Sequence, residues 1–156
     1  MIFVTVGSHP TRTFQRLLDA LRPLPAQDLV VQHGPGRCPP GVAYACPWLP
    51  FSEIREYMEQ ATAVITHAGA GTILCARNLG HTPIVMPRLK RFDEVVDDHQ
   101  VGLATALETT RLVVVAWTAD QLPALVAAAS PRRVVCPNDH GPLQDAVRAA
   151  LTGRAQ

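Results

Sequence analysis

No charge of one sign dominates this sequence: 14 Lys and Arg stand against 13 Asp and Glu, a net charge of +1. So balanced a chain has no basic field with which to hold a nucleic-acid backbone, and nucleic acid is not expected as a partner. Long hydrophobic runs are missing too. The longest, Leu112 to Trp117, is six residues, against the roughly 20 that cross a bilayer, so any membrane association has to come through a partner. Met1 to Val6 enters directly into an apolar run, with no basic region before it and no cleavage-like site after it, which argues against a signal peptide. Cysteine is sparse and scattered, at Cys38, Cys46, Cys75 and Cys136 without a Cys-x-x-Cys pair. That indicates neither a zinc knuckle nor a small disulfide framework and suits a reducing cytoplasm. No Gly-Lys-Ser/Thr follows a glycine-rich turn, and no Gly-x-Gly-x-x-Gly follows the first apolar run. A Walker-type phosphate loop is thereby excluded, and a dinucleotide oxidoreductase disfavoured.

What is present fits one soluble globular domain over 1–156. The chain has 156 residues, 47% of them hydrophobic and 17% charged, enough to bury roughly 70% of its unfolded surface. Short β-branched runs alternate with segments of helical period, which predicts an α/β fold: a Rossmann-like parallel sheet with helices on both faces. The runs predict strands at Ile2–Val6, Leu29–Gln32, Val42–Cys46, Ala63–Thr66, Pro83–Met86 and Leu112–Val115. Helices are expected at Thr13–Leu21, Ser52–Gln60, Gly71–Asn78, Val96–Glu108, Ala119–Ala128 and Pro142–Leu151, with Ser52 as an N-cap and Glu53 in the first turn behind it. The 14 prolines fall mostly in the connections.

In an open parallel sheet ligands sit at the carboxyl ends of the strands, so the loops there carry the functional reading. Gly7-Ser8-His9 follows the first strand and offers a close backbone approach with a hydroxyl beside it. Thr66-His67-Ala68-Gly69-Ala70-Gly71-Thr72 runs from a strand into a helix. Its glycines free amides at a helix start, where the dipole favours an anion such as a diphosphate. The loop Pro87 to Gln100 ends on Asp98-His99-Gln100, whose several donors and acceptors suit sugar hydroxyls. Read blandly, Asp97 and Asp98 are helix caps and Arg88, Lys90 and Arg91 a solvated basic face.

Three stretches together resemble the carboxyl-terminal domain of glycosyltransferase family 28. They are Ile2 to Gly7, Val64 to Ile73, and Val85 to Lys90 with Asp97 to Gln100, in that order within Met1 to about Gln121. The resemblance is to the short stand-alone members: donor-binding subunits of bacterial exopolysaccharide glycosyltransferases, similar to the small subunit of the eukaryotic enzyme adding the second N-acetylglucosamine to a dolichol-linked sugar. It implies the carboxyl-terminal half of a GT-B fold and a UDP-sugar ligand. Gly7, Ser8, His67, Gly69, Ala70, Gly71 and Thr72 would then face the diphosphate. Leu49, Phe51 and Cys75 would lie near the uridine, and Asp98, His99 and Gln100 near the donor sugar. Full-length relatives usually hold the ribose with an acid in the helix after the glycine-rich loop, where this chain has Cys75. No metal and no cofactor is expected, because helix amides and side-chain donors stabilise the departing UDP.

A GT-B enzyme works in the cleft between two domains, and this chain has residues for one. The resemblance therefore implies a membrane-anchored subunit that binds a polyprenyl-linked sugar acceptor and holds this chain, otherwise cytoplasmic, at the inner face of the membrane. Inverting transfer also needs a base for the acceptor hydroxyl; the partner is the simpler source and His9 the local candidate. Together these give a hexosyltransferase of exopolysaccharide biosynthesis, active with its partner. A non-catalytic nucleotide-sugar sensor or assembly subunit is the second reading, supported by Cys75.

Overall fold

A computed structural model of the protein describes residues 1–130 together with Arg132 and Arg133. Cys136, the segment Pro137 to His140 and the helix expected at Pro142–Leu151 lie outside the described residues. Six strands, β1 (Ile2–Thr5), β2 (Leu29–Gln32), β3 (Tyr44–Cys46), β4 (Ala63–His67), β5 (Ile84–Met86) and β6 (Val114–Val115), form one sheet in the order β3-β2-β1-β4-β5-β6. Every pairing is parallel. The helices are α1 (Gln15–Ala20), α2 (Phe51–Gln60), α3 (Ala70–Asn78), α4 (His99–Thr109) and α5 (Leu122–Ala127).

Both sheet faces are buried because the strands are continuous apolar runs whose successive side chains point to opposite sides. Ile2, Val4, Leu29, Val31, Ile65 and Met86 pack with Leu17 and Leu18 of α1 and Leu122 of α5. From the other side, Phe3, Val30 and Val64 meet Met58 of α2 and Ala76 of α3, and Val85 and Val115 meet Leu103 and Leu107 of α4. The sheet is thus sandwiched between two helices and three.

Several expected boundaries move: β3 starts at Tyr44 rather than Val42, β6 at Val114 rather than Leu112 and α1 at Gln15 rather than Thr13, and three further changes have a local cause. α2 begins at Phe51 with Pro50, not Ser52, at the cap, and no side chain caps it; proline's fixed φ starts the helix without one. α4 begins at His99 rather than Val96, because Asp93 adopts a left-handed conformation (φ 55°) and Glu94 turns inward, leaving the intervening residues as a loop. The expected helix 119–128 divides into a 3-10 turn (Ala119–Gln121) closed by a Thr118–Gln121 capping box, followed by α5.

From β1 the chain moves outward to β2 and β3, then returns through α2 to β4 on β1's other side. Strand order reverses between β1 and β4, and this topological switch point opens a crevice at their carboxyl ends.

Candidate functional site

The crevice is built around one imidazole. Gly7 follows β1 with φ +86°, and a Cβ there would sit 2.7 Å from Cε1 of His67. A Cβ on Gly69 would sit 2.2 Å from His67 Nε2. At either position a side chain would displace the imidazole, so two glycine backbones pack against its Nε2–Cε1 edge. Burial lowers its pKa from 6.5 to about 4, with the nearby Arg88 guanidinium acting in the same direction. His67 is therefore neutral at physiological pH and offers a hydrogen bond rather than a charge.

Gln32 sets the position of the Gly7 turn. Its buried side chain accepts from Thr5 Oγ1 at 2.6 Å and donates to the carbonyls of Gly7 (3.1 Å) and Pro47 (2.8 Å). One amide thus ties together the ends of β1, β2 and β3. Next to it, α3 begins at Gly69 with no side-chain cap, and the amides of Ala70, Gly71 and Thr72 have no acceptor among the described residues. These are the free donors of a helix start, and Gly69 at that start packs against the His67 ring. A Cβ on Gly71 would meet nothing within 4 Å, so packing within the chain does not require that glycine.

A cavity of about 370 Å³ lies between the β1 turn and the loop after β5. It brings together Gly7, Ser8, His9, His67, His99 and Gln100 from the expected set. Gly69, Ala70, Gly71, Thr72 and Asp98 do not line it. Leu49 is buried against Phe3 and Met58, Phe51 is exposed at the start of α2, and Cys75 is half-buried on α3 with its thiol pKa pushed up by burial. These three stand apart from that cavity. A second cavity of about 360 Å³ shares the Gly7-Ser8-His9 wall and extends past Gln32 and Gly34 to Trp48.

Beneath the first cavity the basic cluster divides into buried and exposed members. Lys90 and Arg91 are exposed, but Arg88 is buried. It donates to the carbonyls of Val6 (2.8 Å), Thr13 (3.1 Å) and Glu94 (3.0 Å), and its guanidinium lies over the Phe14 ring. Buried Glu94 takes a bidentate grip from Arg16 (3.1 and 2.9 Å) and accepts from the Leu89 amide. Gln100 accepts from the Arg88 amide at 3.1 Å, which leaves its NH2 without a partner among the described residues at the cavity wall. Arg12, Arg88, Glu94 and Trp48 were not reached from the sequence as site residues. For Arg88 the proline before it and the apolar strand ahead of that were available as signals of burial; for Arg12 and Trp48 there was none.

The three cavity histidines differ in their hydrogen bonding. His9 Nδ1 accepts from the amides of Thr11 (3.3 Å) and Arg12 (3.0 Å), so the neutral ring carries its proton on Nε2. His99 Nδ1 is hydrogen-bonded to the Asp97 carboxylate, which also accepts from the His99 amide at 3.1 Å. Asp98 is spent elsewhere, accepting from the Lys90 amide at 2.8 Å.

Comparison with known proteins agrees with this architecture. A family profile described as glycosyltransferase family 28 C-terminal domain matches residues 1–133. No curated protein matches the sequence. Among solved structures, one described as "Crystal Structure Analysis of the Glycotransferase of kitacinnamycin" is similar, with a TM-score of 0.51 and 23% identity over 96% of this chain. The match covers 39% of that protein, so this chain spans well under half its length. At that identity the likeness shows the fold alone: a Rossmann-like domain of the kind that forms the C-terminal half of GT-B enzymes.

Proposed function

The chain belongs to the glycosyltransferase family 28 C-terminal domain family, and from that premise we propose that it is the UDP-sugar-binding subunit of an inverting, metal-independent glycosyltransferase. The observation that carries the reading is that Ser8 and neutral His67 line one cavity at the switch point while the uncapped start of α3 meets the His67 ring at Gly69. Hydrogen-bond donors fixed in advance stabilise a diphosphate both bound and leaving, with no metal required for the charge. From there the sugar extends into the first cavity toward His99 and Gln100, where the Gln100 NH2 meets hydroxyl oxygens. The uridine extends along the second cavity, whose exposed Trp48 offers a flat apolar surface, toward Leu49, Phe51 and Cys75.

The acceptor comes from a second polypeptide. What supports this is the resemblance of Ile2 to Gly7, Val64 to Ile73, and Val85 to Lys90 with Asp97 to Gln100 to the stand-alone donor-binding subunits. In this reading the second polypeptide is a membrane-anchored subunit presenting a polyprenyl-linked sugar, and the reaction belongs to exopolysaccharide biosynthesis. Among the described residues no helix is long and apolar enough to cross a membrane.

The test is transfer of radiolabelled sugar from UDP-glucose, UDP-galactose, UDP-glucuronate or UDP-N-acetylglucosamine to membrane lipid extract. The complete complex is expected to transfer from one donor, and Gln100→Ala to lower kcat/KM for it by at least tenfold, the effect of losing a hydrogen bond of roughly 1.4 kcal/mol. A complex as active with Gln100→Ala as without it would contradict the site.

A further inference from the structure

We infer that His99, oriented by Asp97, is the group that takes the proton from the acceptor hydroxyl; this rests on the glycosyl-transfer reading above. Three imidazoles line the first cavity, and one of them, His99, has a carboxylate on Nδ1. His9 has Nδ1 engaged by two backbone amides and presents Nε2–H, a donor. His67 has Nδ1 beside the Thr66 hydroxyl (3.2 Å) and packs against Gly7 and Gly69, where burial disfavours its taking a proton. His99 gives its Nδ1 proton to the Asp97 carboxylate, so Nε2 carries the lone pair. A carboxylate that fixes the tautomer and steadies the imidazolium formed on proton uptake is the arrangement a histidine base needs.

Position agrees with that chemistry. The His99 side chain is 58% exposed, at the mouth of the cavity and adjacent in sequence to Gln100 on its wall. An acceptor arriving from outside meets His99 before it meets the donor sugar. The acceptor oxygen bonds to the anomeric carbon as the bond from that carbon to the β-phosphate oxygen breaks, its electron pair leaving on UDP. The acceptor proton passes to His99 Nε2. Asp97 is a positioning residue, acting through the ring. The other charged and titratable groups around the cavity are His9, Arg12, His67, Arg88 and Glu94; Glu94 is held by Arg16 and Arg12 by Asp93.

Two measurements test this. Long-range 15N correlation spectra of the full chain are expected to show His99 as the Nδ1–H tautomer, and Asp97→Asn to abolish that preference; the Nε2–H tautomer in the unmutated chain would overturn the inference. In the two-chain complex, His99→Gln is expected to lower kcat by about 100-fold or more, the usual effect of losing a general base. It should also remove the acid limb of the pH–kcat profile and leave UDP affinity, read by titration, within about threefold. Asp97→Asn should lower kcat with UDP affinity likewise kept. If His99→Gln weakened UDP or donor binding by as much as it slowed transfer, with the pH profile unchanged, His99 would be a binding residue and the inference wrong. Failure of the unmutated chain to bind UDP would instead remove the donor-binding reading, and this inference with it.

Discussion

At the scale of single residues, the site depends on where a side chain is absent. The His67 ring occupies space that a Cβ at Gly7 or Gly69 would fill, and Gly7 adds a positive φ. Gly69→Ala is expected to displace the ring and lower UDP affinity at least tenfold, read by titration, while Gly71→Ala, whose Cβ meets open space, leaves the ring where it is. Sequence reading found both glycines but assigned them one role, since only the folded backbone shows which of them touches the histidine. His67 also gives the protein a defined pH response. Its folded pKa of about 4 lies below the unfolded 6.5, so between these values the unfolded chain binds the extra proton. This contribution to stability is complete above pH 6.5 and is lost as pH falls toward 4, at no more than about 1.4 kcal/mol per pH unit. His81, lowered by burial as well, acts in the same direction. Urea unfolding from pH 4.5 to 7.5 should therefore show a slope that His67→Gln reduces without abolishing.

Elements meet at the site through two polar braces of different strength. Arg16 and Glu94 join α1 to the loop after β5, with side chains 19% and 5% exposed. Removing one partner of so buried a pair leaves a charge without water, and Glu94→Ala is expected to cost about 3–5 kcal/mol in chemical denaturation. Arg12 and Asp93 make a similar link at 2.7 Å, but the Asp93 side chain is 95% exposed, and Asp93→Ala should cost under about 1 kcal/mol. Local pattern made the sheet legible: β1, β2 and β4 are short continuous apolar runs, and those strands lie within a residue of where the pattern put them. Edges and braces were not legible. Glu94 sits in a polar run that reads as solvated loop, and its burial follows from Arg16, 78 positions away in sequence. The late start of α4 has the same origin, because a loop pinned by Glu94 and Asp98 cannot wind into helix at Val96.

Over the whole molecule, the strand order places the loops after β1, β4 and β5 side by side, with the β1–β4 switch point at the centre. Sequence order alone had put those three loops in a plausible series; parallel pairing on both sides of β4 makes them one surface. The two cavities sharing the Gly7-Ser8-His9 wall were beyond sequence reading, because they depend on the reach of side chains across strands. A ligand spanning both would have its central, charged part against that wall, as a nucleotide diphosphate sugar does. The most direct test is titration of UDP into the isolated chain, followed by backbone amide spectra. Saturable one-to-one binding is expected, with the largest shifts at Gly7, Ser8, His67 and Ala70 to Thr72, and with binding lost in Gly69→Ala. No binding, or shifts confined to residues away from the carboxyl ends of β1 and β4, would contradict the account.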